Sequence, residues 1–205
     1  MRTKTWQPHL STASDARAVR TRAALRQALL KLLKRKALDQ ITIRDIAATA
    51  RIGYTTVLRH HPTKESVLKD LAAEEIRQLV DLTLPMMDAN RAAAASNALF
   101  EYVSERRLLW STFLTGGAAG ALREELLKIA LGIAAERSRP AEWPQAEIST
   151  RLIVGGTVEM LVWWLGQRDP MSIADAGAFY LRTVVLPATT SPPLRTRANR
   201  PRRRR

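Results

Sequence analysis

Apolar residues recur at helical spacing along most of this chain, and no segment shows the strict alternation of apolar and polar residues that a half-buried strand requires. In the first predicted helix, residues 18–37, the leucines that define one face are Leu25, Leu29, Leu32 and Leu33. A second long pattern, residues 64–84, stops before Pro85, which interrupts a helix. The chain is therefore predicted to be all-α.

The apolar pattern stays helical beyond Pro85. The later predicted helices are residues 90–105, 107–113, 122–137, 146–167 and 172–185. A glycine-rich break at 115–121 and a proline-containing loop at 138–144 separate some of them. Ser172 is a suitable N-cap for the last helix.

Two short helices are predicted between the first helix and the helix at 64–84. Thr42 occupies an N-cap position, and Asp45, three residues later, can complete a capping box. Ala47 on the apolar face is small, so a second short helix can cross it closely, as a helix-turn-helix requires. We therefore expect residues 41–68 to contain such a motif.

The second short helix is predicted over Tyr54–His60, after a break at residues 51–53 and before Pro62. A helix of this length needs support from its neighbours, because nucleation costs more than its few backbone bonds return. Its outward residues are hydroxyls, one aromatic and one guanidinium: Tyr54, Thr55, Thr56 and Arg59. These groups suit base edges and phosphates in a DNA major groove.

Residues 18–70 resemble the DNA-binding domain of the tetracycline-repressor (TetR) family of bacterial transcriptional regulators. The similarity lies in the segment ITIRDIA at 41–47, the pair Ala50 and Ile52, Thr56 followed by an apolar residue, and Pro-Thr-Lys-Glu at 62–65. The resemblance implies an N-terminal three-helix helix-turn-helix domain and a larger C-terminal helical domain for ligand binding and dimerisation.

The predicted segments follow from this resemblance and from the composition of the two ends. They are a flexible basic arm at 1–17, the DNA-binding domain at 18–70, an effector-binding and dimerisation domain at 71–186, and a disordered basic tail at 187–205. Net charge is +11 in residues 1–64, −4 in residues 65–186 and +7 in residues 187–205. A basic segment on a mildly acidic body is typical of a protein that meets nucleic acid with one end.

Four residues depart from the family pattern. Arg51 stands where glycine is usual in the turn, and a left-handed conformation there costs roughly 1 kcal/mol. Gly53 replaces the usual serine cap of the recognition helix. Leu58 replaces a tyrosine that commonly touches phosphate, so we infer no contact there, and His61 replaces a buried aromatic residue.

The resemblance implies a set of DNA-binding residues: Thr42, Arg44, Tyr54, Thr55, Thr56, Arg59 and Lys64. Arg44, Tyr54 and Thr55 are expected to reach base edges. Thr42, Thr56 and Lys64 are expected on phosphates, which position a protein without specifying sequence. Arg59 suits either role, and a solvated charge is the alternative for Arg44.

The C-terminal half carries two further expected sites. The residues expected to line an effector pocket are Trp110, Phe113, Glu159, Met160 and Trp164. The alternative is ordinary core packing, or for Glu159 a place facing solvent. The residues expected at a homodimer interface are Leu152, Gly155, Gly156, Val162 and Trp163, because helix 146–167 has more apolar surface than one chain needs.

The sequence argues against several other classes of protein. It contains no cysteine, so disulfides and thiolate metal sites are excluded, and a reducing cytoplasm is expected. His60 and His61 are adjacent and cannot chelate one metal well on a helix, so no metal or cofactor is expected. There is no glycine-rich phosphate loop, GxSxG or HExxH, so an enzyme is not expected. No signal peptide or membrane-spanning run is expected either.

Two functions remain open. The first is a cytoplasmic homodimeric regulator, a repressor, that binds double-stranded DNA at a palindromic operator and is released by an unknown small-molecule effector. The second is a ligand-independent protein that organises DNA without sequence specificity or binds a partner. Specific binding survives an excess of unrelated DNA at physiological salt, and general phosphate affinity does not.

Overall fold

The computed structural model describes residues 11–83, 91–115, 119–138 and 142–190. The chain divides into two compact units, with the boundary between Glu74 and Glu75. Every regular element in the described ranges is helical. The expectation of an all-α fold is therefore confirmed.

The first unit contains three helices and the start of a fourth. They are α1 (Ser11–Leu33), α2 (Ile43–Ala50), α3 (Tyr54–His60) and α4 (Lys64–Thr83), with a short 3₁₀ turn at Leu38–Gln40 before α2. Apolar side chains of α1, α2, α3 and α4 and of the approach to α2 are fully buried in the core of this unit: Leu25, Leu29, Ile41, Ile46, Val57 and Leu68. The seven-residue α3 packs against α2 and contributes the buried Val57 to this core.

Helix α1 differs from the predicted helix at both ends. It begins at Ser11 and ends at Leu33, whereas residues 18–37 were predicted. Residues 11–17, which were assigned to a flexible arm, are therefore helical, and residues 1–10 of that arm lie outside the described residues. Four of these seven residues are weak helix formers, but extending a helix that the leucine-bearing turns already nucleate costs less than starting a new one.

The second unit holds the rest of α4 and the later helices. They are α5 (Ala92–Glu105), α6 (Arg107–Thr115), α7 (Ala119–Arg137), α8 (Trp143–Gly166), α9 (Ile173–Tyr180), a π-helical turn (Leu181–Val185) and α10 (Leu186–Thr189). Helix α7 packs along α8, and α5 packs against α9. Edge-to-face aromatic contacts join Phe100 to Trp164 and Tyr180, and Trp110 to Phe113.

Two segments that were predicted to be non-helical are partly helical. Helix α7 begins at Ala119, so the last part of the predicted break at 115–121 is helical, and residues 116–118 lie outside the described residues. Helix α10 continues to Thr189, so the predicted tail at 187–205 starts within a helix. Residues 191–205 of that tail also lie outside the described residues.

The π-helical turn has a local cause in Pro187. Proline has no amide hydrogen, and its ring crowds the carbonyl four residues earlier, here that of Thr183. The chain accommodates this by widening one turn, and the Leu186 amide donates to the Leu181 carbonyl five residues back. The last helical segment can then continue without a sharp kink.

Arg107, at the start of α6, closes the C-terminal end of α8. Its Nη2 donates to the carbonyls of Leu165 at 2.7 Å, Gln167 at 3.1 Å and Trp164 at 3.5 Å. The guanidinium also lies 5.4 Å from the Trp164 ring centre. Carbonyls at a helix C-terminus have no partner within the helix, so this one side chain satisfies several of them and neutralises the negative end of the helix dipole.

One described segment, Gln145–Gly166 within α8, is long and apolar enough to cross a membrane by length and composition alone. This differs from the expectation of no such run. A core helix of a soluble protein meets the same criteria, and the segment is interrupted by charged side chains such as Arg151 and Glu159.

Candidate DNA-binding surface and C-terminal cavity

Helix α2 begins with the capping box that its sequence predicts. The Thr42 hydroxyl accepts from the Asp45 amide at 3.1 Å, and the Asp45 carboxylate accepts from the Thr42 amide at 2.9 Å. Lys36 donates to the same carboxylate at 2.9 Å. The hydrogen bonds from Lys36 and Thr42 lower the pKa of Asp45 to about 2. Asp45 is thus held as an anion against the N-terminus of α2.

The turn between α2 and α3 depends on Arg51. Its backbone is left-handed (φ 55°, ψ 41°), and its amide donates to the carbonyls of Ala47 and Ala48. The expected left-handed conformation is therefore confirmed. Gly53 follows as the N-cap of α3 and provides no side-chain cap, so the first amides of α3 have no side-chain acceptor at that position.

Helix α3 has one buried face and one exposed face. Val57 is fully buried, whereas Tyr54, Thr55 and Arg59 are exposed and Thr56 is half-buried. The Tyr54 ring is 40% exposed although it is a large aromatic side chain. The residues predicted to face outward therefore do so, with Thr56 at the edge of the surface.

The N-terminal ends of α2 and α3 meet through Arg44 and Tyr54. The Arg44 guanidinium carbon lies 5.5 Å from the Tyr54 ring centre, which is a cation–π distance. Both side chains are exposed. This contact brings a cationic hydrogen-bond donor and an aromatic face to one surface, and the neighbouring Thr42 and Thr55 are also exposed.

Lys64 has a structural role that the sequence does not reveal. Its Nζ donates to the Leu38 carbonyl at 2.9 Å and to the Asp39 carbonyl at 3.2 Å. The ammonium therefore holds the 3₁₀ turn that leads into α2. One of its three N–H bonds remains for another acceptor.

His61 ends α3 with a buried imidazole. Its ring is 7% exposed, and its Nε2 has no hydrogen-bond partner among the described residues. Burial lowers the pKa of His61 below 6.5, the charges of His60 and Arg22 lower it further, and Asp70, 3.8 Å from Nε2, opposes this. Asp70 is itself held by Arg26 at 3.2 Å.

The stability of the first unit is expected to fall as pH drops below 6.5. Below that value the unfolded state binds a proton at His61 that the folded state resists, so the free energy of unfolding decreases by up to about 1.4 kcal/mol per pH unit. Denaturant unfolding between pH 5 and 8 measures this slope. His61→Phe should flatten the dependence of the free energy of unfolding on pH, whereas His60→Gln should leave most of it. Equal slopes in the wild type and both variants would contradict the assignment of this dependence to His61.

The second unit contains a cavity of about 390 Å³. Aliphatic and small side chains of α4, α5, α7 and α8 form most of its lining, among them Leu79, Ala95, Leu126 and Ile153. It is completed by hydroxyl-bearing residues: Thr83, Ser96, Thr157, Tyr180, Thr189 and Thr190. None of the described residues that line this cavity is charged at neutral pH.

The five residues expected to line an effector pocket do not line this cavity. Trp110, Phe113 and Trp164 are buried in the aromatic core, and Met160 is also buried. These large side chains fill space rather than enclose it, as in the core-packing alternative. Glu159 is exposed and pairs with Arg123 at 2.7 Å, so it faces solvent.

The residues expected at a dimer interface differ in how exposed they are within the single chain. Leu152 and Trp163 are 59% and 48% exposed, and Ile148 one turn before Leu152 is 45% exposed. Val162 is half-buried. A Cβ on Gly155 would meet no atom within 4 Å, whereas one on Gly156 would lie 2.7 Å from Val184 of the same chain. Gly156 therefore serves packing within the chain, which differs from its predicted place in the interface.

Sequence reasoning missed the residues that line the cavity, including Thr157 and Tyr180. The one feature of the sequence that could have indicated this cavity is the cluster of small residues in the first turns of α5. Within the described ranges, no group of three or more His, Asp or Glu side chains is arranged to hold a metal ion.

Comparison with known proteins gives a consistent picture of the fold. No family model matches the sequence. No curated protein matches it either. Solved structures do match, and the TetR transcriptional regulator from Streptococcus agalactiae 2603V is 21% identical, with a TM-score of 0.55 over 85% of this chain and 98% of that chain.

Two more similar structures cover comparable lengths. A TetR transcriptional regulator from Rhodococcus sp. RHA1 is 18% identical, with a TM-score of 0.59 over 84% of this chain and 96% of that one. The TetR-family repressor FadR of Thermus thermophilus, solved with lauroyl-CoA, is 17% identical, with a TM-score of 0.55 over 88% of this chain and 98% of that one. With the helix order described above, these likenesses show that the chain has the fold of the TetR family of transcriptional regulators.

Proposed function

We propose that this chain is a sequence-specific DNA-binding transcriptional regulator, a repressor that acts in the cytoplasm as a homodimer on a palindromic operator. The observation that carries the proposal is the exposed Arg44–Tyr54 pair, which lies where the N-terminal ends of α2 and α3 meet. Recognition helices of helix-turn-helix proteins read bases with their N-terminal residues.

Base contacts are assigned to the exposed side chains at these helix ends. The guanidinium of Arg44 suits the two acceptors of guanine, and stacking on Tyr54 restricts its directions before DNA is bound. Thr55, next to Tyr54, offers a hydroxyl to a base edge. Arg59, one turn further along the exposed face of α3, reaches either a base or a phosphate.

Phosphate contacts are assigned to residues at the rim of this surface. Thr42 places an exposed hydroxyl beside the N-terminus of α2, where the helix dipole favours an anion. Thr56 is half-buried and suits the backbone rather than the groove floor. Lys64 has one N–H beyond its two carbonyl bonds. The net charge of +11 in residues 1–64 supports affinity for DNA in general.

A homodimer is supported by the exposed apolar face of α8. Ile148, Leu152 and Trp163 are each at least 45% exposed and recur at helical spacing with Gly155 between them. An apolar face of this kind is typical of an interface between copies of one chain. Two DNA-binding units related by a two-fold axis would match the two half-sites of a palindrome.

Release by a small molecule is supported by the cavity of about 390 Å³ in the second unit. Pockets of this size are typical of small-molecule sites. Two proteins with a similar fold were solved with bound molecules, a multidrug binding protein with imidazole and FadR with lauroyl-CoA. A ligand would act here by favouring one conformation of the dimer over another.

Selection from a random duplex library tests the proposal. Enrichment of one palindromic sequence is expected, bound at least a thousandfold more tightly than a scrambled duplex at physiological salt. Arg44→Ala should lower that preference by about 5- to 150-fold, since one bidentate base contact contributes about 1–3 kcal/mol. Lys34→Ala, which removes an exposed cation after α1, should change it less than twofold.

Two outcomes contradict the proposal. A library from which no sequence is enriched would support the second function, in which DNA is bound without sequence preference. A chain that sediments as a monomer at the concentrations used for binding would exclude the homodimer.

The double substitution of Arg44 and Tyr54 should lower the free energy of operator binding by less than the sum of the two single substitutions, because the two side chains contact each other.

A further inference from the structure

The geometry points to a chemical class for the molecule that enters the cavity of the second unit. We propose that it is neutral and largely apolar, and that it carries one hydrogen-bond donor directed at the oxygens of Thr157 and Tyr180. This inference rests on the proposed function, in which that molecule is the effector. It follows from the charges and the hydrogen bonds of the lining residues.

Charged molecules are disfavoured because the described part of the lining offers them no counter-ion. The described residues that line the cavity include no Asp, Glu, Lys, Arg or His. An ion that leaves water for such a lining gives up part of its hydration without gaining a partner, so its binding is weakened. Glu159, the one acidic residue predicted to line an effector pocket, is exposed and paired with Arg123 instead.

The threonine and serine hydroxyls around the cavity have already used their protons. Each of them donates to the backbone carbonyl four residues earlier: Thr83 to Leu79, Ser96 to Ala92, Thr157 to Ile153, Thr189 to Val185, and Thr190 to Leu186. These hydroxyls can therefore accept a hydrogen bond from a ligand but have no proton left to donate.

Tyr180 completes this arrangement. Its hydroxyl oxygen lies 2.7 Å from the Thr157 oxygen. Because the Thr157 proton is directed to the Ile153 carbonyl at 2.6 Å, Tyr180 must donate to Thr157. Burial raises the pKa of Tyr180 above 10.0, so the phenol keeps its proton at neutral pH. Both residues line the cavity, and the remaining lone pairs of their oxygens suit a donor.

The lining of the cavity can also be altered at Ala95 without changing Thr157 or Tyr180. Ala95 lines the cavity and is 7% exposed, while its neighbour Ala94 is exposed to solvent. A leucine at position 95 would occupy cavity volume, and a leucine at position 94 would not. The two variants therefore separate occupation of this cavity from binding elsewhere on the chain.

A matched series of ten-carbon probes tests the charge argument. The full chain is titrated with decanol, decanoate and decyltrimethylammonium below their micelle concentrations at pH 7.5, and binding is measured by calorimetry and by the rise in Tm. Decanol is expected to bind more than tenfold more tightly than either ion. Ala95→Leu should weaken decanol binding at least tenfold, and Ala94→Leu should change it less than twofold.

The hydrogen-bond argument has a separate test in Thr157→Val, a substitution of nearly equal shape. The wild-type chain should prefer decanol, which can donate, to 2-decanone, which can only accept. The substitution removes the acceptor of the Tyr180 proton and leaves that proton free. The preference should then shift toward 2-decanone by about three- to tenfold, as expected for one neutral hydrogen bond.

Three results overturn the inference. They are equal binding of decanol and either ion, no binding of decanol at all, and an unchanged preference between decanol and 2-decanone in Thr157→Val. None of them bears on operator recognition, which is measured without any probe. Conversely, if the chain binds decanol but recognises no operator, the proposed function is contradicted. The proposed ligand class of the cavity is then still supported.

Discussion

Arg107→Met is expected to lower the free energy of unfolding of the second unit by about 2–4 kcal/mol, because hydrogen bonds from a charged group contribute about 1.5–3 kcal/mol each and part of this is recovered by water. The guanidinium donates to three carbonyls at the end of α8, at 2.7, 3.1 and 3.5 Å. Methionine keeps the aliphatic length of the side chain and removes all the donors. Denaturant unfolding followed by tryptophan fluorescence measures the loss, since Trp164 lies beside the guanidinium.

Two further variants identify the cause of this loss. Arg107→Lys retains the positive charge without the planar set of donors, so it should recover less than half of the lost stability. Arg168→Met removes an exposed cation just after the same helix and should change stability by less than about 0.5 kcal/mol. If the Arg107→Lys variant is as stable as the wild type, the positive charge at the end of α8 stabilises the helix and the hydrogen bonds do not.

The adjacent glycines of α8 should respond to alanine with opposite signs. A Cβ at Gly156 would lie 2.7 Å from Cγ1 and 3.0 Å from Cγ2 of Val184, a side chain with little rotameric freedom. Gly156→Ala is therefore expected to cost about 1–3 kcal/mol through overpacking. Gly155→Ala meets nothing within 4 Å in the single chain, so it should stabilise the helix by up to about 1 kcal/mol.

Thermal unfolding of both variants at two protein concentrations measures these effects. If Gly155 faces a second copy of the chain, Gly155→Ala should also weaken self-association, which sedimentation detects independently of stability. Val184→Ala should relieve the cost of Gly156→Ala, because it removes both methyl groups that the new Cβ would meet. Equal stability of the two single variants would contradict the packing described for Gly156.

The helix-turn-helix was predictable because its signals are local. A capping box, a break and a proline are each read from a few neighbouring residues, and Thr42, Asp45 and Pro62 supply them. The left-handed Arg51 was instead expected from the resemblance, because glycine is usual at that position of the family's turn. In contrast, the second role of Lys64 depends on carbonyls at Leu38 and Asp39, some 25 residues earlier, which no local pattern reveals.

The cavity was not predictable, for a related reason. Aromatic and flexible side chains such as Trp110 and Met160 were expected to surround a ligand, but the structure buries them in the core. A void forms where the side chains of several helices are too small to meet, as at Ala95, and that depends on how helices distant in sequence pack together. The polar anchor at Thr157 and Tyr180 likewise joins residues on different helices.

The cavity in the second unit has a consequence for its hydration. Water that enters it meets mainly aliphatic side chains, together with Thr and Ser hydroxyls whose protons are already donated to backbone carbonyls. Water held this weakly is readily displaced by an apolar group. Binding in this cavity should therefore be accompanied by a negative change in heat capacity.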